Sequence, residues 1–181
     1  MKRVISIGNA LVDIIYLLEN DVILEELGLK RGSMNMIDKD FDSLIDEKMK
    51  VHDRILSSGG SAANTINGLA NLGIDTCFMG VTGEDEYGKF FREDMLSNNI
   101  KPILYTSDKK TGTARTFVSH DAERTFAVHI GAASELTVNI RETIFKDYDY
   151  LHIEGYLVYN RDLMLKIGEY GKRNGLKISL D

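Results

Sequence analysis

The sequence predicts an α/β protein built on a parallel central sheet with helices on both faces, a Rossmann-like three-layer α/β/α arrangement accompanied by a small separate sheet. Three observations lead there. Short apolar runs alternate with helical patterns over most of the chain, glycines stand where helices end and strands resume, and one stretch, 103–130, replaces the alternation with extended segments.

Taken in order, residues 3–7 form a short apolar run that reads as a buried first strand, because Gly8, Asn9 and Asp13 end it too early for a secretory signal. Apolar spacing predicts a helix over 38–52, a strand over 54–58, and a helix over 61–72 closed by Gly73. The alternation repeats with a strand over 76–81, a helix over 87–98, a strand over 150–153, a helix over 161–174 stopped by Gly175, and a strand over 177–180. Strands separated by helices of this length imply right-handed crossovers and a parallel sheet. Within 103–130, residues 113–120 and 124–129 flank Asp121-Ala122-Glu123, which is hairpin chemistry. Residues 12–17 and 33–37 are similarly extended. Segments 12–17, 33–37 and 103–130 together predict a lid, a small sheet apart from the main one that covers a ligand and whose open face can pair with a second subunit to give a homodimer.

Composition narrows the partners. The 181 residues are 43% hydrophobic and 28% charged with a formal net charge of -6, so nothing in the balance points to nucleic acid or an anionic membrane surface. No segment approaches the roughly 20 apolar residues of a membrane span. A single cysteine, Cys77, cannot make an internal disulfide, which fits a reducing, cytoplasmic compartment. His52, His120, His129 and His152 show no metal-ligand spacing.

The run Ser58-Gly59-Gly60-Ser61-Ala62-Ala63-Asn64-Thr65 carries the strongest chemical signal. Two adjacent glycines let a ligand approach the backbone, and Ser61 is placed to cap a helix whose free N–H groups face that ligand. A second glycine pattern is a decoy. Gly83-Glu84-Asp85-Glu86-Tyr87-Gly88-Lys89 has P-loop spacing, but Phe90 stands where a magnesium-binding hydroxyl belongs and three carboxylates would face the phosphates. Asp85 reads instead as a residue that shapes its own loop through an Asx turn.

Gly8-Asn9-Ala10-Leu11-Val12-Asp13, Gly59-Gly60-Ser61-Ala62-Ala63-Asn64 and Gly80-Val81-Thr82-Gly83-Glu84-Asp85-Glu86-Tyr87-Gly88 follow one another in that order, with Thr111-Gly112-Thr113, Glu123-Arg124-Thr125, Gly131-Ala132 and Glu154-Gly155-Tyr156 beyond them. In this order and spacing the chain resembles the ribokinase-like (PfkB) family of carbohydrate and nucleoside kinases along essentially its whole length, and within it the adenosine kinase-like branch. The resemblance implies a ribokinase-like fold and ATP-dependent phosphorylation of a primary hydroxyl on a sugar or nucleoside, with ATP and Mg2+ as cofactors. It assigns substrate binding to Asn9, Asp13, Gly59, Gly60 and Asn64. A carboxylate at Asp13 suits that role because it accepts hydrogen bonds from two neighbouring hydroxyls. In the adenosine kinase-like branch apolar side chains sandwich the base. Leu11, Met36 and Tyr156 fall at positions that could do so, with core or helix-face packing the simpler alternative.

The same family carries a Gly-Ala-Gly-Asp motif in its C-terminal half, whose aspartate is the catalytic base. The 181 residues contain no such run. The resemblance therefore implies that residues 1–181 form the substrate-binding part of the domain, that the base and the nucleotide site lie outside this sequence, and that the chain alone is inactive. A non-catalytic sugar- or nucleoside-binding module, or a truncated remnant, is the alternative.

Overall fold

The computed structural model describes residues 2–137 and 140–181. Its elements run β1 (Arg3–Ile7), β2 (Leu11–Leu17), α1 (Val22–Glu26), β3 (Met34–Met36), α2 (Lys39–Met49), β4 (Ile55–Gly59), α3 (Ser61–Asn71), β5 (Asp75–Gly83), α4 (Glu86–Ser97), β6 (Ile100–Ser107), β7 (Gly112–Val118), β8 (Arg124–His129), β9 (Tyr150–Ile153), α5 (Arg161–Arg173) and β10 (Lys177–Leu180). Three 3-10 turns, Gly131–Glu135, Glu142–Asp147 and Gly155–Tyr159, complete the path.

Five strands in the order β10-β9-β1-β5-β6 form the central sheet, and every pairing in it is parallel. Its inner strands β9, β1 and β5 are largely apolar and buried because both faces are covered there. Val4 and Phe78 pack on one side with Ala62, Ala63 and Ile66 of α3 and Phe91 and Met95 of α4. The intervening residues Ile5, Ile7, Cys77, Met79 and Val81 pack on the other side with Leu163 and Ile167 of α5. This two-residue alternation between cores is the three-layer arrangement that the sequence pattern predicts.

The remaining strands form a second five-stranded sheet, β3-β8-β7-β2-β4, which contains the extended segments 12–17 and 33–37 and the hairpin. At the hairpin tip Ala122 adopts φ +67, with its N–H on the Ser119 carbonyl at 2.8 Å. Although separate in its hydrogen bonding, this sheet shares its packing with the main one. Val12, Ile14, Tyr16 and Phe117 belong to the same buried cluster as Val4 and Phe78, with Ile45 and Met49 of α2 and Leu24 beside them.

Two placements differ from the sequence expectation. Residues 103–107 belong not to the lid but to β6, where Ile103 pairs with Met79 and Ser107 with Gly83 along the edge of the main sheet. Helix α4 ends at Asn98, Asn99 takes φ +59, and the chain enters β6 at once, an ordinary helix-to-strand return. Pro102 hides this strand in the sequence, yet an edge strand accommodates a residue that cannot donate to the ladder. The run 54–58 does not extend the main sheet either; β4 pairs antiparallel with β2. Ser57 and Ser58 in its middle suit a sheet with one open face rather than one buried on both.

Candidate functional site

Strand register builds the site. Asp13 stands opposite Ser57 on one side and Ala114 on the other, Ala114 opposite Val128, and Val128 opposite Met36. Paired residues project to the same face, so these five form one row across the second sheet. Val12, Ile14 and Tyr16 point the opposite way, into the core, at no more than 1% exposure. A parallel row, Ile55, Ile15, Thr116, Phe126 and Met34, lies next along the same face, and its two ends are open, Ile55 at 56% and Met34 at 55% exposed.

At the near end of the first row the Gly59-Gly60 turn meets Asp13. A methyl group on Gly59 would lie 2.2 Å from Asp13 Oδ1, so only glycine leaves space for the carboxylate. Gly60 adopts φ +99, and a methyl there would lie 2.4 Å from the Asn9 carbonyl oxygen. The chain then enters α3, where Asn64 stands exposed one turn in, its N–H on the Gly60 carbonyl at 2.9 Å. Gly60 itself is the N-cap and no side chain caps the helix; Ser61, expected to do so, is the first helical residue. Asp13 is partly buried, and among the described residues none donates a hydrogen bond to its carboxylate. Burial pushes its pKa up to about 6. An acceptor left without a donor beside a glycine turn, with Gly60 partly exposed, is suited to hydroxyl groups.

Beneath the turn lies a residue that the motif reading left without a role. Glu154, 1% exposed at the end of β9, accepts from the Asn9 N–H at 3.2 Å and the Ala62 N–H at 3.4 Å through Oε2, and from Asn9 Nδ2 through Oε1. Burial raises its pKa against the opposing effect of these bonds. Glu154 thereby ties the loop after β1 to the first turn of α3. Asn9, 8% exposed, is engaged by Glu154 from below, so of the two candidate asparagines it is the one whose side-chain amide nitrogen already has a partner. The available signal was a carboxylate closing an apolar strand, a placement that requires buried donors.

The remaining candidates are spread further. Leu11 is 8% exposed on the same face as Asp13 and packs with Ala114, Val128 and Ala133. Met36, 63% exposed, stands three strands from Asp13, about 14 Å at ordinary strand spacing. It lines a cavity of about 520 Å3 with Ile37, Lys39, Lys110, His129 and Gly131, and neither Asp13 nor the glycine turn lines that space. Tyr156, 59% exposed, belongs to the 3-10 turn after β9 rather than to either row.

The loop with P-loop spacing is filled by its own carboxylate. Asp85 caps α4 by accepting from the Gly88 N–H at 2.8 Å, and accepts from the Thr111 N–H at 2.8 Å and Oγ1 at 2.6 Å. Burial would raise its pKa, but these bonds outweigh it and hold the carboxyl below its usual range. Among the described residues no group of three or more His, Cys, Asp or Glu could hold a metal ion. With the Asp85 carboxylate in its centre, this loop does not fit the phosphates of a nucleotide.

The sequence profile of pfkB family carbohydrate kinases matches residues 27–176. A 5-dehydro-2-deoxygluconokinase of Geobacillus thermodenitrificans is 26% identical over 132 residues, covering 68% of this chain and 39% of that protein. Fructokinase-2 of Zea mays is 30% identical over 90 residues, covering 49% and 27%. Among solved structures, a probable sugar kinase from Rhizobium etli superposes with a TM-score of 0.86 at 28% identity, covering 99% of this chain and 55% of that one. An adenosine kinase from Sinorhizobium meliloti gives 0.85 at 28%, covering 99% and 56%. The chain therefore spans less than half of these two curated relatives and a little over half of the solved kinases.

Proposed function

Because the chain belongs to the pfkB family of carbohydrate kinases, we propose that its residues form the substrate-binding side of an enzyme that transfers phosphate from ATP, with Mg2+, to a primary hydroxyl of a sugar or nucleoside. One observation carries this reading: the Asp13 carboxylate, without a donor among the described residues, lies directly against the Gly59-Gly60 turn. Asp13 accepts bonds from two ring hydroxyls, the glycines let the ring rest on the main chain, and Asn64 donates to and accepts from its edge. Asn9 and Glu154 hold the turn in place from beneath. Ala114, Val128 and Met36 continue the floor away from Asp13, where an apolar or planar substituent of the sugar rests; Leu11 packs beside that strip on the same face, and Tyr156 is its most distant candidate partner. Such contacts act by alignment, on which phosphoryl transfer chiefly depends.

The base and the nucleotide site are expected in the C-terminal part of the family fold, so these 181 residues alone should bind substrate without transferring phosphate. The setting is cytoplasmic, and the open face of the second sheet is where two subunits meet. Incubating the full-length protein with ATP and Mg2+ against ribose, fructose and adenosine tests the reading. Turnover should appear with at least one acceptor, and Asp13→Ala should lower kcat/KM by about 2 to 4 kcal/mol of transition-state stabilisation. Acceptor binding with no turnover would favour the second reading, a non-catalytic sugar- or nucleoside-binding module.

A further inference from the structure

We propose that Arg115 is a positioning residue for the Asp13 site, acting from the far side of the second sheet; this rests on the reading of that site as the substrate site. Arg115 is in register with Ile14, one residue beyond the Asp13–Ala114 pair, so its side chain leaves the sheet on the face opposite Asp13. It is 0% exposed and is the largest fully buried side chain. Its two terminal nitrogens reach two carboxylates one helical turn apart on α2. Nη1 donates to Asp42 Oδ1 and also to Thr113 Oγ1 at 2.7 Å, while Nη2 donates to Asp46 Oδ1 at 2.6 Å. The Thr113 hydroxyl in turn donates to Asp42 Oδ1 at 2.8 Å. His129 Nδ1 on β8 stands 3.7 Å from the other Asp42 oxygen.

This arrangement is a poor way to stabilise a fold. Desolvating a guanidinium and a carboxylate offsets most of their attraction, apolar residues of similar size are often as stable or more so, and Arg115 Nε is left buried without a partner. What the ion cluster supplies is direction. A planar fork bridging residues 42 and 46 sets the height of α2 along β7 with a directionality that the non-directional apolar packing of Ile45 and Met49 lacks. Because β7 is paired with β2 from Leu11 to Leu17, holding β7 holds the strand that carries Asp13 against the glycine turn.

The test removes the fully buried members Asp42, Thr113 and Arg115 together rather than one partner, which would leave a buried charge; Asp46, 35% exposed, keeps access to water. A variant with Asp42→Leu, Thr113→Val and Arg115→Met should melt within a few degrees of the native protein. It should nevertheless bind adenosine, ribose or fructose at least tenfold more weakly, and the amides of residues 11–15 and 112–116 should exchange at least tenfold faster. Native affinity together with native exchange in that variant would overturn the proposal. Should it fail to fold, Asp46→Ala removes one arm of the fork at a carboxylate 35% exposed. Its affinity should fall about threefold with faster exchange in the same segments, and unchanged values would again reject the idea. A native protein that binds none of the three ligands defeats the substrate-site reading alone, and the exchange measurement then decides the role of Arg115.

Discussion

At Asp13 the raised pKa carries a sign that can be followed. An aspartate titrates near 3.9 in an unfolded chain and at about 6 here, so between those values the folded state keeps a proton that the unfolded state has lost. Stability therefore falls as pH rises through that window, and the penalty is fully present above it. Asp13→Asn should raise the melting temperature above pH 6, by up to about 3 kcal/mol of stability, and leave it unchanged below pH 4. The same substitution should weaken ligand binding. In the native protein affinity should grow from pH 5 to 7 as the carboxylate ionises, which titration calorimetry at three pH values would read; a flat profile would remove Asp13 from the ligand. The motif spacing made Asp13, Gly59, Gly60 and Asn64 legible because each contributes through a local property, a charge, an absent side chain or an amide. Glu154 was not, because its partners Asn9 and Ala62 lie 145 and 92 residues away and only the fold brings them to it.

At the scale of elements, the turn into α3 concentrates the strain. Gly60→Ala places a side chain at φ +99 and against the Asn9 carbonyl, and should destabilise by about 1 to 3 kcal/mol, visible as a lower urea midpoint with an unchanged slope. Glu154→Ala leaves the Asn9 and Ala62 donors without their acceptor, a loss of about 1 to 3 kcal/mol for a buried group. If its melting temperature matched that of the native protein, the anchoring role would be wrong. Period and punctuation made most elements readable, and the hairpin at 121–123 and the helix over 161–174 needed nothing more. Three departures have physical reasons. Pro102 and Lys101 masked β6, whose edge position tolerates both. Strand β4 resembles any short apolar run until its pairing partner is known. Helix α1, five residues long, is too short for periodicity to register and is held by packing of Leu24.

Across the whole molecule, two of the apolar surfaces that the described residues leave to water lie on the sheets. All four residues of β10 are exposed, Leu180 at 55%, and the strand has a neighbour on one side only. The open face of the second sheet adds Leu17 at 70% and Met36 at 63%. The 181-residue chain by itself should self-associate, and Leu180→Lys should shift it toward monomer in sedimentation velocity, since a charged edge resists strand pairing. The core joining the two sheets has a kinetic consequence. With Val12, Ile14, Tyr16 and Phe117 packed into the cluster that also holds Val4 and Phe78, the second sheet cannot swing without opening that cluster. On this packing we expect the sheet to act as a wall rather than a moving cover, and ligand capture should be a single bimolecular step. In stopped flow the observed rate constant should climb linearly with ligand concentration, whereas a plateau would reveal a closing step that this packing forbids.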